Sequence, residues 1–441
     1  MRHRLCRRVL AFCWGSLLVS SLPLLAQANL EVNAGIQFST PGARGLAMGG
    51  AFLGLADDAT AAYTNPAGLT TLTRPEVSLE SRHWRFSHVF TDQGRLSGKP
   101  TGLGVDTIEG LREGTSSNEV TGLSFSSVVY PRSRWRLALY RHELANFEER
   151  FKTQGAFLNA PLDRLFPTVN SLSLDIVNLG LSGAYEINDA WSVGVGLSSY
   201  DFHLVSRTDR YNVDRSGCLE PGQTYGPPLY TNPVGSQTQN GDDHAFGFNA
   251  GFLWRIRDGW TLGGAYRQGP RFDFVAASSV TASDFNGKRE RARFDTPDFF
   301  GLGLAIQPTE VTTITLDYDR VGYSNLTGRL TGIISGSAEN PADELRHFRA
   351  DDANEIHLGI ERAVLFSSYQ IFARFGAWYD PDHRIRYTGT TPGFQALFRR
   401  GQDEVHYSAG FGFSGGHLQV DGAMELSERV DTVSLSTVVR F

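Results

Sequence analysis

From Asp431 to Phe441 the chain alternates. Val433, Leu435, Thr437, Val439 and Phe441 hold one parity; Thr432, Ser434, Ser436 and Arg440 hold the other. Successive side chains of a strand point to opposite faces, so a period of two predicts a β-strand with one apolar and one polar face. The period recurs upstream. Leu418, Val420, Met424 and Leu426 oppose Gln419, Asp421, Ala423 and Glu425, and Val405, Tyr407, Ala409, Phe411 and Phe413 oppose His406, Ser408, Gly410 and Gly412. Ile356, Leu358 and Ile360 alternate with charge, and Phe300, Leu302, Leu304 and Ile306 alternate with Gly301, Gly303 and Ala305. A soluble sandwich packs its large residues inward and shows mixed polar ones outward. Here glycine and charge share the second face strand after strand, which fits a polar lumen behind a lipid-facing apolar belt.

The connections alternate as well. Short ones fall near Pro131–Arg134, Asn188–Ala190, Arg257–Gly259, Pro308–Glu310, Phe366–Ser368 and Gly415–Gly416. Long ones fall near 92–118, 148–168, 210–243, 277–290, 324–350 and 382–401, with a last tight one at Ser427–Arg429. Together they predict an all-β fold, a 14-stranded antiparallel transmembrane β-barrel over residues 76–441 with both ends on the short-turn side. Closure removes the exposed edges an open sheet would leave. Three strands break phase: Val77 and Leu79 give way to Trp84 and Phe86, Leu172, Leu174 and Ile176 to Leu179 and Leu181, and Val193, Val195 and Leu197 to Tyr200, Phe202 and Leu204. A slip of one residue is the trace of a bulge or kink, or else of loose patterning near the strand ends, and a kink could open the wall.

Residues 29–75 do not alternate and are dominated by glycine and alanine, which predicts a compact hatch folded into the lumen. Residues 1–28 carry four arginines, an apolar run from Val9 to Leu25 and Ala26-Gln27-Ala28, the three parts of a secretory signal peptide. Of three cysteines only Cys218 lies beyond that segment, so an internal disulfide and a cysteine-built zinc site are both excluded from the exported chain. With 41% hydrophobic residues the chain is too apolar for disorder, and a net charge of -6 leaves no basic footprint for nucleic acid.

The run GARGLAMGGAFLGLADDATAAYTNPAGL, residues 42–69, resembles the N-terminal hatch of the FadL family of outer-membrane transporters for hydrophobic compounds. Asp57-Asp58-Ala59 and Asn65-Pro66-Ala67 match that family's hatch pattern, with Gly42, Gly45, Gly49 and Gly50 ahead of them. The hairpin HAFGFNAGFLWRIRDGWTLGGAYR and the segments WYDPDHRIRY and VHYSAGFGF are similar to the family's barrel. The resemblance implies a monomeric barrel in the outer membrane of a Gram-negative bacterium. It implies passive uptake of hydrophobic small molecules, long-chain fatty acids first among them, by capture at outer loops, binding in the lumen, hatch movement and lateral release. A shuttle or docking barrel of a protein secretion system, as in the PorV group, is the rival reading.

The residues themselves add candidates. In the hatch, Pro66 fixes φ and pushes Asn65 out of the helical region, so the chain turns there. Asp57 and Asp58 either cap a short helix through Ala62 or pair with lumen arginines. On the strand YQIFARFGAWYD, Phe372, Arg374 and Trp378 fall on the lumen face, where they could hold an acyl chain and its carboxylate or form a structural lattice with Glu355, Glu361 or Asp317. In the loop 155–169, Phe157, Leu158, Leu162, Leu165 and Phe166 stand near helical spacing and form either an exposed capture patch or a cover for the barrel mouth. No phosphate loop, zincin motif or nucleophile elbow is present, so no enzyme, no metal and no cofactor are expected. The expected partners are a hydrophobic ligand, outer-membrane lipid and the barrel assembly machinery, the last through the strand that ends in Phe441.

Overall fold

The computed structural model describes residues 38, 40–100, 105–160, 163–211, 230, 231, 233, 235–278, 288–327 and 346–441. The signal segment 1–28, Leu162 and Cys218 lie outside the described residues.

Fourteen strands form the barrel. In chain order they are β1 Glu76–Arg95, β2 Gly110–Arg132, β3 Trp135–Thr153, β4 Thr168–Glu186, β5 Trp191–Arg210, β6 Gly235–Arg257 and β7 Trp260–Arg267. There follow β8 Phe299–Thr309, β9 Thr312–Val321, β10 Ala353–Leu365, β11 Tyr369–Asp380, β12 Glu404–Gly415, β13 Leu418–Leu426 and β14 Val430–Arg440. Each pairs antiparallel with its sequence neighbours, and β14 closes on β1 from Glu76↔Arg440 to Phe86↔Val430. The short connections fall where the alternation placed them, but the long ones near 92–118, 148–168 and 210–243 are narrower than expected, because β1 runs on to Arg95, β2 begins at Gly110, β3 runs on to Thr153 and β6 begins at Gly235. The one near 277–290 is flanked by a separate hairpin, Arg271–Ser278 with Lys288–Asp295, whose Phe272 stacks on Phe202 of β5 at 4.7 Å.

A transmembrane strand needs about 9–11 residues. Strands β7–β14 have 8–13, but β1–β6 have 19–23, so six of the fourteen strands rise well past the bilayer on the loop side. This explains the three phase breaks, which are not bulges in those strands. Across each of the three slips in β1, β4 and β5 the alternation of inward and outward residues is unbroken. What changes is the environment. Near the short turns the outward side is apolar, with Leu79, Leu181, Val195 and Leu197 exposed toward lipid. Toward the loops the outward side carries Arg85, Asp201, His203 and Arg207, and the inward side turns aromatic, with Trp84, Phe86, Tyr200 and Phe202 buried. Water now lies outside the wall and an apolar chamber inside it. The short-turn rim carries the interfacial aromatics expected of such barrels, with Trp135 against Tyr185 and Trp191 stacked on Trp254 at 5.2 Å.

Register shifts occur near the ends of β1 (at Asp92), β6 and β8, but the ones within the wall lie in β2 and β3. Pairing of β1 with β2 skips Ser124, and pairing of β3 with β4 skips Leu144. Between them, β2 pairs with β3 only from Arg132↔Trp135 to Phe125↔His142. Beyond that point β2 pairs with β1 alone and β3 with β4 alone, so the hydrogen-bonded wall is interrupted.

The hatch fills the lumen with a short helix α1 (Ala43–Ala47), a second α2 (Ala61–Thr64) and a 3-10 turn at Pro66–Thr71. Its small residues let its backbone lie directly on the wall, and the wall yields with glycines of its own. A Cβ at Gly194, Gly263 or Gly376 would collide with the backbone of Pro66, Leu53 or Gly49. Glycine on the lumen face thus follows from the seating of the hatch.

Candidate functional site

Polar side chains fix the hatch to the wall. Arg44 of α1 binds Glu361 of β10 through Nε and Nη2, each at 2.9 Å, and Asp57 through Nη1 at 2.5 Å. Burial pushes the Asp57 carboxyl up, against the pull of the neighbouring Arg44. Asp58 accepts from the Thr60 amide at 2.8 Å and from its hydroxyl at 2.5 Å, which closes a turn ahead of α2 rather than capping the helix itself. Asn65 is extended, φ −148, and its amide donates to the carbonyls of Leu53 (2.9 Å) and Phe252 (3.1 Å) while its oxygen accepts from Ala67. Pro66 then opens the 3-10 turn. Gly42, with φ 106, gives its amide to Glu80 of β1 at 2.8 Å. Gly45 faces the Phe52 ring. Gly49 and Gly50 take positive φ where α1 ends; the Gly49 amide donates to Ser408 at 3.0 Å, and its carbonyl accepts from His357 Nδ1 at 2.7 Å.

Above the hatch lies a cavity. Its floor is Gly45, Leu46, Gly49, Gly50 and Tyr63, and its walls include Trp84, Phe86, Tyr200, Phe299 and Val430. Leu144, Ala145 and Asn146, the irregular stretch of β3, also line it, so the cavity abuts the break between β2 and β3. Two arginines reach it, Arg82 and Arg267. Arg82 is committed: it binds Glu80 through Nε and Nη2 and the Thr40 carbonyl at 2.9 Å. Arg267 stands differently. Its Nη1 donates to the Thr64 carbonyl at 3.1 Å and its guanidinium lies 3.4 Å from the centre of the Phe299 ring, but it makes no ion pair with a carboxylate among the described residues. A cation held on an aromatic face beside an apolar chamber can receive an anionic headgroup.

The lumen-face candidates of β11 divide. Arg374 is fully buried and spans Glu361 (2.6 Å) and Asp421 (2.7 Å), with its guanidinium over Phe372; neither it nor Phe372 lines the cavity. This is the lattice arrangement. Trp378 does line the cavity, stacked between His357 and His406 with its indole donating to Glu425 at 3.1 Å. The loop 155–169 is corrected: its described residues form short strands, Ala156–Asn159 and Asp163–Leu165, rather than a helix. Phe157 is buried with Val105 and Ala160, and Leu158 and Leu165 pack on Ala156, Leu111 and Leu397, so they hold the outer loops together. Phe166 lies beneath the Arg164 guanidinium at 5.0 Å.

Sequence reasoning passed over Arg267, Tyr63, Asp319 and His357 and took Glu355 only as a possible partner of Arg374; all five line the cavity. Arg267 ends the hairpin singled out by resemblance. Its inward parity with Gly263 and Ala265 was the available signal.

A family model described as outer membrane protein transport protein (OMPP1/FadL/TodX) matches residues 168–364. Among curated relatives, a long-chain fatty acid transport protein of Shigella flexneri is 27% identical over 276 residues, 58% of this chain and 55% of the relative. Outer membrane protein P1 of Haemophilus influenzae is 28% identical over 35% of this chain and 37% of its own length. The chain thus spans about half the length of the first of these relatives. Among solved structures, a Pseudomonas aeruginosa FadL homologue aligns with a TM-score of 0.63 at 16% identity, covering 92% of this chain and 100% of that one. The Pseudomonas putida toluene transporter TodX aligns at 0.54 with 15% identity, covering 92% and 98%. The likeness to these structures shows the shared fold. The sequence match, which lies inside the barrel, is to the OMPP1/FadL/TodX family, and the fold is that of an outer-membrane β-barrel.

Proposed function

We propose that this barrel carries hydrophobic small molecules passively across the outer membrane, and that its preferred cargo is a long-chain fatty acid. One observation supports that choice above others: Arg267 is a cavity cation with no carboxylate partner among the described residues, next to walls of Trp84, Phe86, Tyr200 and Phe299. An aromatic hydrocarbon would use the walls and leave the guanidinium idle. A fatty acid uses both.

The route follows from the same geometry. Cargo arrives over the loop side, where the tall part of the wall encloses an apolar chamber sheltered from water. The cavity is about 170 Å³. Pockets that enclose a whole drug-sized ligand run to roughly 300–1,000 Å³. A full acyl chain therefore requires the hatch to shift or the chain to extend through the break between β2 and β3, and lateral release through that break joins the two. The reading keeps the barrel a monomer, as the resemblance implies, with the exposed carboxy-terminal Phe441 presented for assembly.

The test is binding and uptake in parallel. Purified barrel is titrated with a labelled long-chain fatty acid and with toluene, and cells lacking their own transporter are assayed for uptake of each. Tight, carboxylate-dependent fatty-acid binding with matching uptake supports the reading. An empty lumen with a co-purifying exported protein would replace it by the docking role.

A further inference from the structure

On the cavity wall, Asp319 of β9 and Glu355 and His357 of β10 converge, each more than nine-tenths buried and each bordering the cavity. His357 donates from Nδ1 to the Gly49 carbonyl of the hatch at 2.7 Å. That bond fixes the ring and aims Nε2 at the two carboxylates, where it has no hydrogen-bond partner; Asp319 Oδ1 is likewise buried without one. Nε2 lies 3.5 Å from Asp319 Oδ2 and 3.4 Å from Glu355 Oε2. An N–H···O hydrogen bond spans about 2.7–3.2 Å. Zinc ligands at about 2.1 Å in a tetrahedron stand about 3.4 Å from one another. The two histidine–carboxylate separations fit donors spaced around a common cation better than donors bonded to each other, and all three donor atoms lie within 4.8 Å of one another.

We propose that His357, Asp319 and Glu355 form a three-ligand site for a divalent transition-metal ion of the zinc class, with its fourth position open to the cavity. The donor chemistry agrees: one imidazole and two carboxylates suit such an ion, and the second ring nitrogen bonded to a carbonyl is the usual outer support of a metal-binding histidine. The ion would neutralise two carboxylates buried side by side in the cavity wall. Because His357 is tied to Gly49, it also joins the wall of β9 and β10 to the end of α1, so metal occupancy and the seating of the hatch are linked. The site stands independently of which cargo the barrel carries.

The full-length barrel in detergent, stripped by chelation and dialysed against Zn²⁺, is expected to retain one zinc per chain by mass spectrometry. X-ray absorption should show imidazole and oxygen ligands and no sulfur, which separates this site from Cys218. Asp319→Asn and Glu355→Gln preserve side-chain shape, and each should weaken zinc binding at least tenfold while the protein still migrates as a folded barrel. His357→Gln should do the same. Retention of less than stoichiometric zinc by the parent protein, equal retention by all three variants, or a sulfur ligand would overturn the proposal in favour of a protonated His357 paired with the two carboxylates.

Discussion

Arg44 in the hatch and Glu361 in the wall make a two-point ion pair with both nitrogen–oxygen distances at 2.9 Å. Glu361 is shared: its Oε2 also accepts from Arg374, which continues to Asp421. Removing one partner of a buried ionic network leaves the others uncompensated and costs about 3–5 kcal/mol. Glu361→Ala should therefore release the hatch before it harms the barrel, since the strand ladder does not depend on the side chain. Single-channel recordings should show a larger and noisier conductance, with the folded-barrel mobility unchanged. A closed channel in the variant would mean that the ion pair does not hold the hatch.

Arg267 separates anionic from neutral cargo. A hydrogen bond to a charged group contributes about 1.5–3 kcal/mol, or roughly tenfold to over a hundredfold in affinity. Arg267→Met keeps length and apolar contact with Phe299 and removes the charge. Fatty-acid dissociation constants should rise by about that factor, and toluene binding should stay within twofold. Equal losses for both ligands would show that the arginine only packs the wall.

Leu144 tests the exit. It is the extra residue that β4 leaves unpaired, next to the end of the β2–β3 ladder. Deleting it together with Ser124, the residue that β1 leaves unpaired in β2, restores unbroken alternation in both strands, and the β2–β3 ladder can then extend past Phe125↔His142. Uptake should fall by about tenfold or more if lateral release carries the flux, an expectation based on loss of the route that a bulge opens, while equilibrium binding to the purified protein changes little. Uptake at the parent rate would close this route.

The same strand shows where the sequence is opaque. The fourteen strands were legible because lipid outside and polarity inside impose a period of two, and turn lengths did the rest. In β1, β4 and β5 the apolar parity changes because the wall leaves the membrane, and this looked like a bulge where none exists. In β3 both events occur together: Leu137 and Leu139 face outward, Phe147 and Phe151 inward, and the bulge at Leu144 keeps all four on odd numbers. Two shifts of face cancel, so the break in the wall left no trace in the pattern. The hatch was legible through its small residues, but Arg267 and the Asp319–Glu355–His357 trio needed the register of separate strands to bring them to one cavity.

Gly376 tests the seating of the hatch from the wall side. A Cβ there would meet the backbone of Met48 and Gly49, which cannot rotate away as a side chain could. Gly183, on β4, is the control: its Cβ would meet the Leu137 side chain at 3.4 Å and the Arg136 carbonyl at 4.0 Å, both ordinary contacts. Overpacking a closely packed site costs about 1–3 kcal/mol. Gly376→Ala should leave the barrel folded but the hatch displaced, so that limited proteolysis cuts within residues 40–72 and channel recordings show leak. Gly183→Ala should resemble the parent in both assays. The comparison is decisive because both substitutions add one methyl to a barrel glycine, and only one of them places it against the hatch.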